Sequence, residues 1–158
     1  MSNPRRNQSG FTLVELLIVV IILGILAAVV IPQFNTAAAE SKEAALASNL
    51  ATIRQAIELY KVQHNDAFPT AAMKTELTSQ TDADGTISAT GKYGPYIRNQ
   101  FPADPLDSNP ATADAVATIA AMPASPTAAG GWIYATGNGE FRANVSGTGP
   151  SGTDYFDL

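Results

Sequence analysis

From Phe11 to Ile31 the chain carries 21 consecutive residues whose only polar side chains are Thr12 and Glu15. As a helix, a run of that length is roughly 30 Å long, which matches the hydrocarbon core of a bilayer. Sixteen of its residues are Leu, Ile, Val or Phe. At about −0.4 kcal/mol each they favour insertion by roughly 6 kcal/mol, against roughly 3 kcal/mol for one acid at a helix centre and less for an acid near the edge. Insertion wins. Arg5 and Arg6 precede the run, whereas Glu40, Lys42 and Glu43 follow it with no positive excess. The positive-inside rule therefore places the N-terminus in the cytoplasm and the remainder outside. The competing reading is a cleavable secretory signal, with Ala37-Ala38-Ala39 as a small-residue site and a secreted binding domain released after Ala39. The run is longer than the usual apolar region of such signals, the Ala triplet lies well beyond its end, and an acid sits inside it.

Composition removes other classes. Nine Lys and Arg against fourteen Asp and Glu give a formal charge of −5 and a pI near 4.6, which offers no basic surface to a nucleic acid. The chain has no cysteine and one histidine, His64, so disulfides, thiol catalysis, Cys zinc sites and a His-rich metal cage are excluded. The near-zero mean hydropathy of +0.04 conceals the concentration of apolar weight in the one run.

After Pro32 the helical pattern continues. Leu46, Leu50, Ile53, Ile57 and Tyr60 recur at spacings of four and three, one stripe of an amphipathic helix, with alanines between them and Glu40, Glu43, Arg54, Glu58 and Lys61 for the water side. The simplest reading is one helix from about Phe11 to about His64, with kink positions at Gly24 and Pro32 and an end at Asn65-Asp66 and Pro69. The stripe must be covered. Residues 65–158 read as short strands and loops that do so. The clearest signal is a hairpin, Gly131–Ala135 and Glu140–Asn144 around the turn Thr136-Gly137-Asn138-Gly139. The Ala/Pro/Thr-rich stretch from Pro110 to Ala129 reads as mostly loop, with room for a short helix around Asp114 to Ala121. The predicted fold is α+β: a long N-terminal helix, membrane-spanning in its first half and amphipathic in its second, packed on a small C-terminal domain of sheet and loops.

The segment Ser9-Gly10-Phe11-Thr12-Leu13-Val14-Glu15, followed by an apolar helix with Pro32 in it, resembles the class III leader of type IV pilins and type II secretion pseudopilins. Farther on, Tyr60-Lys61, Asn65 and Phe68-Pro69-Thr70, and then Phe101-Pro102-Ala103-Asp104-Pro105 with Asn109-Pro110, look like sequence words of the major pseudopilins. Leu106-Asp107-Ser108 stands where those proteins have Trp-Gly. The resemblance implies a pilin-like lollipop: residues 1–10 a cleaved leader, 11–31 a transmembrane and polymerisation helix, 32–64 an amphipathic half, 65–158 a globular domain. It implies cutting between Gly10 and Phe11 by a prepilin peptidase and N-methylation of Phe11, Gly10 allowing close backbone approach. It implies an assembly role for Glu15, whose carboxylate meets the Phe11 ammonium of a neighbouring subunit in a helical homopolymer. Such a chain is a structural subunit, not an enzyme. It belongs to the bacterial inner membrane, with a periplasmic C-terminal domain, and works with minor pseudopilins and an inner-membrane assembly platform to export folded proteins. A type IV pilus subunit for adhesion, motility or DNA uptake is the runner-up.

Major pseudopilins also hold calcium in a C-terminal acidic loop, and the resemblance points to Ser151, Asp154 and Asp157 as candidate Ca²⁺ ligands here. Other suggestive strings fail on their own terms. Gly147–Gly152 matches G-x-G-x-x-G, but the six residues after it leave no length for a phosphate-binding helix. Asp82-Ala83-Asp84-Gly85 imitates the middle of an EF-hand, yet Gln80 and Gly91 occupy its first and twelfth positions. His64 is placed to bond the last helical carbonyls, and Asn144-Val145-Ser146 is a chance glycosylation sequon.

Overall fold

A computed structural model describes residues 11–127 and 130–158; the leader, including Gly10, lies outside the described residues. Helix α1 runs from Leu13 to Gln63, passing through both Gly24 and Pro32, and ends one residue short of the expected His64. Asn65 and Asp66 follow in the left-handed conformation (φ 55° and 61°), and the Asp66 amide donates back to the Lys61 carbonyl at 3.0 Å. Asn and Asp tolerate that conformation better than other side chains, so the pair stops the helix.

The chain divides into two compact units after Ala38. In the first, the apolar run is bare. Its large side chains range from Val30 at 41 % exposure to Leu13 at 82 %, and its most apolar stretch has a mean hydropathy of 3.2 with none of it buried. A helix apolar all round that no other described residue covers suits lipid or copies of itself.

The second unit, residues 39–158, has its own core. The stripe Leu46, Leu50, Ile53, Ile57 and Tyr60 is buried throughout, as its periodicity predicts. It packs with the short helix α2 (Met73–Thr78), through Met73 and Leu77, and with a three-stranded sheet. The strands are β1 (Val116–Ile119), β2 (Trp132–Ala135) and β3 (Phe141–Ala143), in spatial order β1-β2-β3. All four residues of β2 are buried, which fits the central strand. The β2–β3 pair is the expected hairpin, with Trp132 opposite Ala143 and Tyr134 opposite Phe141. Gly139, at φ 74°, makes the turn against the Phe68 ring, where a β-carbon would collide.

The stretch around Asp114 to Ala121 departs from expectation. It is neither loop nor helix: Val116–Ile119 forms β1, parallel to β2 in the register Val116↔Trp132 through Ile119↔Ala135. Three of its four residues are β-branched, and β2 has an unsatisfied edge for them to pair with. The flanking Ala, Pro and Thr masked that signal.

Candidate functional site

At the start of α1, Thr12 and Glu15 bond each other reciprocally. The Thr12 amide and hydroxyl both donate to Glu15 Oε2 at 2.8 Å, and the Glu15 amide donates to Thr12 Oγ1 at 3.3 Å. With Leu13 as the first helical residue, this is a capping box, which satisfies amides that an α-helix otherwise leaves open. The Thr-x-x-Glu spacing is the sequence signal for this box. Phe11, immediately before, is 81 % exposed. The structure thus places Phe11, Thr12 and Glu15 at one helix end and fixes the orientation of the Glu15 carboxylate. Farther along, a β-carbon on Gly24 would meet nothing within 4 Å, and Thr36 Oγ1 donates to the Pro32 carbonyl at 3.2 Å inside the helix. Pro32 has no amide to offer the preceding turn.

The three candidate calcium ligands do not converge. Ser151 Oγ and the Ser151 amide both donate to the Glu43 carboxylate, the amide at 3.2 Å. Asp154 Oδ1 accepts from the Phe156 amide at 3.0 Å and caps the short 3₁₀ turn Tyr155–Asp157. Asp157 Oδ1 lies 3.0 Å from an Arg142 guanidinium nitrogen. Among the described residues no three His, Cys, Asp or Glu side chains gather in a metal-holding group. A divalent ion beside Asp157 would face the Arg142 charge, so this donor set does not fit Ca²⁺.

The sequence words shared with pseudopilins have physical work in the second unit. Thr70 gives its amide and hydroxyl, each at 2.7 Å, to the buried carboxylate of Glu76, and the Tyr134 hydroxyl donates to the Pro69 carbonyl at 2.9 Å. Trp132 Nε1 donates to the Pro102 carbonyl at 2.8 Å and Asn49 Nδ2 to the Ala103 carbonyl at 3.0 Å. These bonds fasten both words to the sheet, the first also to α2 and the second also to α1. Burial pushes the Tyr60 hydroxyl up to about 12. His64 accounts for itself structurally: Nδ1 lies 2.8 Å from the Tyr60 carbonyl, Nε2 lies 3.0 Å from Thr81 Oγ1, and the ring stacks on Tyr60. Asn144 is buried and bonded to Thr127, so the sequon is inaccessible in the folded domain. The imitation EF-hand is a turn in which Asp84 accepts from the Thr86 amide.

Asp104 is the exception to this satisfied network. Its Oδ1 accepts from the Leu106 amide at 2.8 Å, but its buried Oδ2 has no partner among the described residues. Burial raises its carboxyl above the ordinary range, the Leu106 bond opposing that shift and the Asp107 charge adding to it. Raising a carboxyl on folding destabilises the folded state wherever the group is ionised, above the raised value, and this penalty fades as pH falls toward the unfolded value near 4. Asp104→Asn retains the acceptor for Leu106 and removes the charge. Its melting temperature should exceed wild type by a few degrees at pH 7.5, with the gap closing on acidification. A gap of constant size would mean that the charge is not its cause.

A groove of about 470 Å³ beside α1 contains Arg54, Glu58, Glu140, Arg142 and Asp157. Its charges are largely consumed internally, since Arg142 pairs with Glu140 at 2.6 Å and with Asp157, while Arg54 donates to two carbonyls. It presents no nucleophile beside a base.

Comparison with known proteins agrees with the N-terminal geometry. Residues 5–31 match the prokaryotic N-terminal methylation motif. The chain is 34 % identical over 101 residues to a type II secretion system core protein G of Pseudomonas aeruginosa, covering 64 % of this chain and 70 % of that one. Its counterpart from Aeromonas hydrophila is 30 % identical over 64 % and 69 %. A type IV major fimbrial protein FimA of Dichelobacter nodosus is 34 % identical over 140 residues, 82 % of this chain and 88 % of that one. No solved structure matches the chain.

Proposed function

This chain belongs to the N-methylated pilin-like family that contains type II secretion core protein G, and we propose from that premise how its own residues serve a secretion pseudopilus. It is a structural subunit of such a filament, polymerising through α1 to help export folded proteins. The observation that supports the reading most is the bare apolar half of α1 with one oriented acid at its start, directly behind a class III leader. A prepilin peptidase cuts between Gly10 and Phe11, and Phe11 receives the methyl group. The run from Phe11 to Ile31 then spans the inner membrane with its N-terminus cytoplasmic and residues 39–158 in the periplasm. During assembly Glu15 meets the Phe11 ammonium of a neighbouring copy, which sets the register between subunits. Gly24 and Pro32 are where the helix bends as it leaves the bilayer. Minor pseudopilins and the inner-membrane assembly platform are its further partners.

Intact-mass measurement and N-terminal sequencing of membrane-derived protein test the processing. The expected chain starts at N-methylated Phe11 and keeps its apolar run, while replacing Gly10 by a bulky residue leaves the leader attached. A start at Glu40 would overturn the reading in favour of a released domain. A second reading, a type IV pilus subunit, draws support from the longer match to the fimbrial protein. Deleting the gene separates the two: loss of exported proteins with surface fibres unchanged belongs to the pseudopilus, and the reverse to the pilus.

A further inference from the structure

Glu43 is a carboxylate on α1, 9 % exposed, in the turn before Leu46 and Leu50 enter the core. Burying an acid is unfavourable unless its oxygens find donors, and both of these find them on one residue far along the chain. Ser151 Oγ donates to Oε1 and the Ser151 amide donates to Oε2. The turn that presents Ser151 is shaped for the purpose. The Gly152 amide donates to the Gly149 carbonyl and the Gly149 amide to the Thr153 carbonyl, both at 2.9 Å. A β-carbon on Gly149 would lie 2.6 Å from the Glu43 carboxylate, so only glycine allows this approach.

Eleven residues, or three helical turns, beyond Glu43, Arg54 stands on the same side of α1 and holds the same segment. Its Nη1 donates to the Leu158 carbonyl at 2.8 Å and its Nε to the Phe141 carbonyl of β3 at 3.0 Å. From β3, Arg142 pairs with Asp157 and places its guanidinium 5.0 Å from the centre of the buried Phe156 ring. Of the three groups offered to calcium, the Ser151 hydroxyl is bound by Glu43, the Asp157 carboxylate by the Arg142 guanidinium, and Asp154 Oδ1 by the Phe156 amide. A cation at Ser151 would have to compete with the two hydrogen bonds that Ser151 gives Glu43, and one at Asp157 would sit against the Arg142 charge.

The structure assigns the fastening of residues 147–158 to a direct latch, Glu43 on Ser151 with Arg54 and Arg142 as its second hold, in place of the divalent cation expected from the family resemblance. The latch is a property of the folded domain and stands whether the filament is a pseudopilus or a pilus. Its consequence is a subunit whose folding is indifferent to calcium.

The test uses the full chain in detergent, with the fluorescence of Trp132, the sole tryptophan, reporting the melt and hydrogen exchange reporting the amides of residues 149–153. Melting in EGTA and in millimolar Ca²⁺ should agree within about 1 °C, since a ligand that binds the folded state must raise its stability. Glu43→Ala should lower the melting temperature by several degrees and speed exchange at residues 149–153 by about tenfold or more, Glu43→Gln less so because it keeps one acceptor. Ser151→Ala, which removes one donor and leaves the core untouched, should speed the same amides and covers the case in which Glu43→Ala does not fold. A calcium-dependent melt, or exchange at 149–153 unchanged in the Ser151 variant and in whichever Glu43 variant folds, overturns the assignment.

Discussion

Ile53→Asp should abolish the fold of residues 39–158. Ile53 is fully buried at the middle of the helical stripe, within the cluster that joins α1 to α2 and the sheet. Deleting a buried Ile side chain costs about 2–5 kcal/mol, and an unpaired carboxylate in its place adds several more. Domains of this size are stable by only about 5–15 kcal/mol, so the sum is comparable to the whole. The measurement is circular dichroism and thermal melting of a soluble fragment beginning at Thr36, which lacks the bare apolar run. Ile53→Val, at a cost of about 0.5–1.5 kcal/mol, should melt cooperatively at a slightly lower temperature and shows that the fragment itself folds. A cooperatively melting Ile53→Asp variant would place the core elsewhere than the stripe.

That stripe was legible because a 3.6-residue period is a property of the sequence alone, as was the hairpin, where Asn138-Gly139 specifies the turn whatever surrounds it. Strand β1 was not. Val116–Ile119 shows no alternation, since all four residues are half-buried, and its strand character comes from the edge of β2 to which it is parallel. A partner some sixteen residues away in register leaves no local mark. Glu43 was hidden for a similar reason. Its spacing from Leu46 and Leu50 puts it on the stripe, but its charge reads as solvent-facing, and the donors that make its burial tolerable arrive with Ser151, more than a hundred residues later. The candidate calcium ligands turn on the same point. Ser151, Asp154 and Asp157 are close in sequence, but each is drawn to a different partner by the fold.

Near the start of α1, Glu15→Leu should insert into the membrane and be cut after Gly10 as efficiently as wild type, yet assemble filaments poorly, with yield reduced about tenfold or more. Two roles fall on one side chain, the first visible in the structure and the second proposed. Glu15 caps its own helix through Thr12, and the assembly role proposed for it is to answer the Phe11 ammonium of a neighbouring copy. Capping alone is worth typically about 1 kcal/mol to a helix, and lipid already enforces helical backbone in this segment, so loss of the cap does not account for loss of assembly. Thr12→Ala isolates that contribution: it breaks the reciprocal bonds, keeps the carboxylate, and should assemble near wild-type yield. Glu15→Gln performs the complementary separation, retaining a carbonyl for the Thr12 donors while removing the attraction to an ammonium, and should fall between wild type and Leu. Filament yield from cells overexpressing each variant, normalised to membrane abundance and leader removal, is the measurement. If Thr12→Ala fails as badly as Glu15→Leu, the acid acts by shaping its own helix end; if Glu15→Leu builds filaments at wild-type yield, the charge sets no register between subunits.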